Sequence, residues 1–435
     1  MGLIKPLRFE VQTQTVQNLV HYYKNRQLNL SPGFQRSSVW SDRDRSKLID
    51  SILRGYPIPS IFLHRTVDRG DVMYHVIDGK QRLETLFRFM GHIRGGRFSA
   101  RVALGEEGKL EKLDWKTLQK RELQHLITSY KLQVILVEGD PSQVIDLFVR
   151  INSTGRALKP QEKRHARYFQ TEFLKKAARL AERLAPTLRK HRVLSENQIS
   201  RMKHIELVSE LMLSVHSRDV IDKKRVLDQA MSDKGLSAKA VAKAYEGVQR
   251  AIRKTFRMFP NLAQTRFVQL SDFYTLVILI HKLDREGYVL NNPTRNKIAR
   301  CLLEEFGAGV DRVRERHKKL QKIPQSDASY IRYLQTVTSG TDKYENRKAR
   351  EEILRGLLAS QFARKDPQRV FTPEQRRIIW NLNKDRRCAA CGRKLTWENF
   401  TIDHVKPHSK GGRTVVLNAR LMCRSCNAGK GDRWS

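Results

Sequence analysis

Four of the chain's five cysteines stand in two pairs, Cys388-Ala-Ala-Cys391 and Cys423-Arg-Ser-Cys426. The spacing C-x2-C-x31-C-x2-C lets four thiolates close a tetrahedral zinc site. A four-sulfur sphere has no open position, so such a zinc is structural and any chemistry must come from other residues. The insert between the pairs exceeds the about 12–20 residues of ordinary zinc-finger spacings, and it carries Asp403-His404, Gly411-Gly412 and Asn418. A second metal site accounts for the extra length. Cleaving a phosphodiester needs a base of near-neutral pKa and a cation to neutralise charge on the phosphate and the departing oxygen. An imidazole beside a carboxylate, on a turn held by a zinc knuckle, supplies the base and a ligand for the cation.

This arrangement, from about Phe371 to Lys430, resembles the HNH endonucleases. The matching text is IDHVKPHSKGG followed by LNARLMCRSCNAGKG, flanked by the CxxC pairs of the zinc-stabilised branch. The resemblance implies a ββα-metal domain in which His404 is the general base that deprotonates the attacking water. It makes Asp403 and Asn427 the holders of the catalytic cation and Asn418 the residue that pins the loop orienting His404. Cys388, Cys391, Cys423 and Cys426 then hold the structural Zn²⁺. Asn427 stands where many relatives have His; its amide oxygen favours Mg²⁺ or Mn²⁺ over Ni²⁺ or Zn²⁺. His408 reads as a surface or phosphate-contacting residue.

Charge points to the same class of partner. The chain has 84 Lys+Arg against 45 Asp+Glu, a formal net charge of +39, so a polyanion is expected. Its basic residues run along the whole chain and are not gathered beside an amphipathic anchor, which favours nucleic acid over a membrane. From residue 370 to 435 there are 14 Lys+Arg and 5 Asp+Glu, a net of +9 in 66 residues. DNA affinity there should be mostly electrostatic and fall steeply with salt, with little base specificity. MGLIKPLRFEVQTQ lacks the apolar core of a signal peptide, and the longest aliphatic run, Leu276 to Ile280, is too short to span a bilayer. A soluble cytoplasmic protein with no membrane partner is the expectation.

The elements that must position these residues begin with SDRDRSKLIDSILRG, where Ser41 caps a helix, Asp44 stands at its third position and Gly55 ends it. Leu48, Ile49, Ile52 and Leu53 form its buried stripe. IPSIFLHR, Met73 to Ile77 and Lys131 to Gly139 read as strands, LETLFRFM as a helix, and Pro141 opens a helix that ends at Asn152-Ser-Thr-Gly155. From about 171 to 365 the pattern is helical, with Phe173, Ala177, Leu180 and Leu184 on one face. Similar stripes run over Ile205 to Val215, Val241 to Phe256 and Phe273 to Leu283. Cys301 is expected in the helical core, and the basic stretch from Asp342 to Arg369 as a hinge.

Asp78-Gly-Lys-Gln-Arg82, between a strand and a helix, is either an ordinary Asp-Gly turn or a place where backbone N–H groups receive phosphate. Its company is more specific: Phe34-Gln-Arg36 with Trp40, then LIDSILRGYPIPSIFL, VIDGKQRLETL and LFVRINSTGRALKPQE, in that order. Over residues 10 to 170 this resembles the N-terminal domain of GmrSD-type modification-dependent restriction enzymes, which is similar to ParB and sulfiredoxin in fold. The resemblance implies a phosphate pocket lined by Arg36, Asp78, Gly79, Gln81 and Arg82 and closed by Asn152, Gly155 and Glu162. A nucleoside triphosphate (GTP, ATP or CTP) would sit there; Lys80 replaces the family's usual Gln. The expected fold class is therefore α+β multidomain. It comprises a ParB/sulfiredoxin-like sensor domain (1–170), an all-α middle domain (171–365) and an HNH nuclease domain (366–435) with a four-cysteine zinc site. The expected function is a nucleotide-regulated, metal-dependent endonuclease of prokaryotic defence acting on phage DNA, including modified DNA, as a homodimer that breaks both strands. The alternative is a ParB-like DNA-binding regulatory protein whose zinc domain does not cut.

Overall fold

The structure, a computed structural model, describes residues 6–33, 40–68, 70–93, 98–103, 110–152, 158–232, 235–320 and 327–433. The chain forms two compact units: Met1–Ala185 with Leu194–Glu206 and Met231–Asp233, and Pro186–Val193 with Leu207–Ala230 and Lys234–Ser435. The fold is mixed α/β in the first and helix-rich in the second.

Among the described residues of the first unit lie seven strands: β1 (Arg8–Thr15), β2 (Leu28–Asn29), β3 (Ile61–Asp68), β4 (Asp71–Asp78), β5 (Ala100–Ala103), β6 (Leu110–Leu113) and β7 (Lys131–Glu138). Five of them make a mixed sheet of order β1-β7-β3-β4-β2, while β5 and β6 pair separately. Residues one apart on a strand face opposite sides. Accordingly Leu132, Val134 and Leu136 enter one apolar cluster and Val137 another, and Val76 and Ile77 divide in the same way. Helices Asp42–Leu53 and Lys80–Phe89 contribute to the first cluster, Pro141–Ile151 and Pro160–Tyr168 to the second. The Ser41 cap is a full capping box with Asp44, and Leu48, Ile49, Ile52 and Leu53 are buried as expected. Strand β1 was not anticipated. Its alternation carries no buried face, Phe9 and Val11 being exposed, and what places it is its backbone pairing with β7 along its full length.

In the second unit, helix Leu270–Arg285 is buried almost all round, which is why its sequence is continuously apolar. No helix among the described residues is long and apolar enough to cross a membrane. Cys301 is exposed, contrary to expectation. On helix Pro293–Lys318 the buried face runs through Ala299, Leu303, Phe306 and Val310, and a residue two positions beyond Ala299 lies about 200° around the helix from it.

The expected hinge is also corrected over much of its length, because Tyr344–Leu358 is a helix with Arg347, Arg350, Glu351, Leu354 and Leu358 buried. Arg347 lies 3.9 Å over the Tyr274 ring, pairs with Glu210 and Asp342, and donates to the Ile221 carbonyl at 3.1 Å. Arg350 donates to the carbonyls of Thr336 and Thr341. A guanidinium can be buried when its fork of donors meets such acceptors, so charge alone did not report exposure. Replacing Arg347 by Ala takes the guanidinium away from Oε2 of the buried Glu210 and leaves Lys223 Nζ, 3.2 Å from Oε1, as the cation beside that carboxylate. Arg347→Ala should destabilise this unit by about 3 kcal/mol, read as a lowered urea midpoint; a midpoint within error of wild type would contradict the pairing.

Candidate functional site

The residues near the two cysteine pairs fold as helix Pro373–Leu382, strands β8 (Phe400–His404) and β9 (Ala419–Cys423), and a short helix Arg424–Lys430. β8 and β9 are antiparallel, with Phe400 opposite Cys423 and His404 opposite Ala419. Their apolar cluster is small: Ile379, Trp380, Leu395, Phe400, Leu421 and Met422, with Cys388 and Cys423 among them. Burial on this scale holds a segment poorly without a further cross-link.

The sulfurs are placed to supply one. The Sγ atoms of Cys388, Cys391, Cys423 and Cys426 all lie within 4.8 Å of one another, close to the about 3.8 Å edge of a tetrahedron with Zn–S bonds near 2.3 Å. Backbone N–H groups point at them, Cys423 N at Cys388 Sγ and Cys426 N at Cys423 Sγ. The Ser425 hydroxyl and the Cys426 N–H bring the Cys423 thiol down to about 6. Its neighbour Cys426 is in turn pushed up to about 12 by hydrogen bonds to Cys423 and Cys391. Crowded thiols that cannot all ionise are a donor set suited to a divalent soft ion, and the cluster suggests a structural zinc.

Asp403 and His404, at the end of β8, and Asn427, next to Cys426 on the short helix, line one cavity of about 780 Å³ together with Lys365, Arg369 and Arg376. Asp403 is buried, and its Oδ2 accepts from Arg420 Nε at 2.9 Å and Lys430 Nζ at 2.5 Å. Lys430 Nζ also donates to the His404 carbonyl. Asn427 donates through Nδ2 to Thr401 Oγ1 at 3.1 Å. Oδ1 of Asp403 and Oδ1 of Asn427 have no hydrogen-bond partner among the described residues. The imidazole of His404 packs on the Phe371 ring at 4.6 Å and places Nε2 3.0 Å from Thr414 Oγ1. Burial, with His408 beside it, holds His404 below the ordinary imidazole value, although Asp403 pulls the other way.

Asn418 does not line that cavity. It clamps the loop after β8: its Oδ1 accepts from Lys406 N at 2.8 Å, and its Nδ2 donates to the carbonyls of Lys406 and Arg413. Gly412 is required by this clamp, since a Cβ there would lie 1.8 Å from the Lys406 oxygen. His408 is half-buried with its Nε2 2.8 Å from the Asp366 carbonyl, more constrained than a surface residue.

Residues 388–433 match the HNH endonuclease family. Residues 16–169 match the N-terminal domain of the GmrSD restriction endonuclease. No curated protein matches the chain. The two family matches together support a restriction-type DNA endonuclease with DNA as its substrate, and HNH nucleases use divalent metals.

Within the GmrSD-matching region, β4 ends at Asp78 and helix Lys80–Phe89 begins two residues later. Gly79 makes the turn at φ +96°, where a Cβ would also meet Ile61 Cδ1 at 2.4 Å. Asp78 Oδ2 pairs with Arg82 Nη2 at 2.7 Å, Arg82 also donates to the Ser60 carbonyl, and Gln81 Oε1 accepts from Trp40 N. Glu162 is buried at the start of helix Pro160–Tyr168, accepting from Lys159 N, with Arg201 Nη1 3.8 Å away. Asn152 donates back to Phe148 O as it ends its helix. The residues from Asp78 to Arg82 thus share one turn, whereas Asn152 and Glu162 bond to their own helix ends and Glu162 also lies near Arg201. Arg36 and Gly155 lie outside the described residues.

Sequence reasoning missed Arg420, Lys430 and Thr414. Lys430 had a signal: it follows Asn427 by three positions on a helix, which puts both on one face. Thr414 had none. Replacing Cys391 by Ser removes one of four sulfurs. Cys391→Ser should reduce bound zinc, measured by atomic absorption, and lower or abolish a melting transition of the C-terminal part; unchanged zinc and melting would contradict the cluster.

Proposed function

We propose that this chain is a metal-dependent DNA endonuclease of the modification-dependent restriction type, acting in the prokaryotic cytoplasm against phage DNA. The observation carrying this reading is the shared cavity of Asp403, His404 and Asn427, on the same hairpin and helix as the four-sulfur cluster and inside the HNH-matching segment. His404 takes the proton of the attacking water. Asp403 and Asn427 would hold Mg²⁺ or Mn²⁺ through the oxygens that meet no hydrogen-bond donor among the described residues, a hard donor set that suits those ions. When bound, that ion neutralises charge on the phosphate and the departing oxygen. Asn418 keeps the loop behind His404 in place, and Lys365, Arg369 and Arg376 offer positive charge to the phosphate backbone.

In this reading the chain has three parts, 1–170, 171–365 and 366–435. The first is a ParB/sulfiredoxin-like sensor in which Arg36, Asp78, Gly79, Gln81, Arg82, Asn152, Gly155 and Glu162 receive a nucleoside triphosphate that licenses cutting. The strand–turn–helix at Asp78–Arg82 supports it, since such a turn presents N–H groups to phosphate. Two chains supply the two cuts of a double-strand break.

Supercoiled plasmid incubated with the protein and Mg²⁺, with and without GTP, ATP or CTP, tests both ends of the proposal. Nicking is expected, with His404→Ala lowering it by a factor on the order of 10²–10⁴ at unchanged zinc content and DNA affinity. Absence of nicking under every condition would instead favour a DNA-binding regulator with a non-cleaving zinc domain. Arg82→Ala should weaken nucleotide binding, measured by calorimetry; an unchanged dissociation constant would overturn the pocket.

A further inference from the structure

Thr414 is nearly fully buried, and all its polar groups are engaged. Its N–H donates to Asp366 Oδ2 at 2.8 Å, and its carbonyl accepts from Gln375 Nε2 at 3.0 Å. Its hydroxyl donates to the Gln368 carbonyl, and His404 Nε2 lies 3.0 Å from the same oxygen. A carbonyl can only accept, and a hydroxyl has one hydrogen. With that hydrogen on the Gln368 oxygen, Thr414 Oγ1 can only accept from the imidazole, which places the ring proton on Nε2. The lone pair is left on Nδ1, which makes no hydrogen bond among the described residues, on a ring that lines the cavity.

The Gln368 carbonyl is itself held in direction. Gln368 N donates to Asp366 Oδ1 at 3.0 Å, and its side chain donates to Val370 O and Gln375 Oε1. Upstream, the strap of chain from residue 363 to residue 372 is tied to a turn of the helical part by Lys365 N to Gly287 O at 2.7 Å and Val289 N to Ala363 O at 2.8 Å.

We propose that Thr414 is the positioning residue that sets the tautomer and orientation of His404, and that it does so from the Gln368 carbonyl of the strap preceding helix Pro373–Leu382. The proposal rests on the nuclease reading above. Without the hydroxyl the ring is free to place its proton on Nδ1, the nitrogen that must accept one from water.

The test uses the full chain with ¹⁵N-labelled histidine, without divalent ion other than the zinc and at a pH where imidazoles are neutral, the His404 signals being assigned by their loss in His404→Gln. Nitrogen chemical shifts should report the Nε2–H tautomer in wild type and Thr414→Ser, and a mixed or reversed tautomer in Thr414→Val. An Nδ1–H tautomer in wild type overturns the proposal and needs no variant at position 414 to fold. In plasmid nicking, Thr414→Val should lower kcat by about 10–100-fold with KM for DNA unchanged, and Thr414→Ser should restore turnover. If wild type nicks and His404→Ala does not, yet Thr414→Val matches wild type, the tether falls while the nuclease reading stands. A wild type that nicks nothing overturns the nuclease reading and the tether with it.

Discussion

Everything at the C-terminal end of this protein depends on four sulfurs drawn to one point. Cys388 and Cys391 precede the hairpin, while Cys423 and Cys426 lie at the end of β9 and in the helix that follows. A divalent ion among them would tie the segment holding Cys388 and Cys391 to β9 and its helix, which otherwise meet it through a small apolar cluster and backbone bonds such as Ala389 N to Leu421 O. Because Phe400 pairs with Cys423, the antiparallel register carries His404 four residues along the neighbouring strand from the level of Cys423, about 14 Å of strand at 3.4 Å per residue. That spacing fits the proposed division of labour, in which a sulfur-bound ion would set the geometry of the hairpin and leave Asp403 and His404, at the end of β8, free for chemistry.

Those residues sit among several cations. The buried Asp403 is balanced by Arg420 and Lys430, and Lys365, Arg369 and Arg376 open onto the same cavity. Removing a carboxylate from water is costly unless it is paired, so the two cations account for how Asp403 can be buried yet keep one oxygen toward the cavity. The surrounding charge suits a polyanionic backbone, in keeping with the +39 of the whole chain.

What could be read from the sequence was what local spacing encodes. The Ser41–Asp44 capping box, the apolar stripe of its helix and the paired cysteines each announce themselves within a few residues. Asn418 was legible only through resemblance, and the structure gives it a physical role in its clamp on Lys406 and Arg413. Thr414 was invisible because its partner is a backbone carbonyl 46 residues away, and a carbonyl has no letter of its own. Arg347 and Arg350 misled for a related reason: their acceptors, Glu210 and the carbonyls of Thr336 and Thr341, are brought together only by tertiary packing. Cys301 shows the converse, a residue of apolar type that the phase of its helix turns outward.

The central claim is that a hard cation, separate from the zinc, is held by Asp403 and Asn427 beside His404. Electron paramagnetic resonance of zinc-loaded full-length protein titrated with Mn²⁺ addresses it directly. The account predicts one tightly bound Mn²⁺ per chain, lost in both Asp403→Ala and Asn427→Ala while the zinc content stays the same. Absence of bound Mn²⁺, or a bound signal that survives both substitutions, would contradict it.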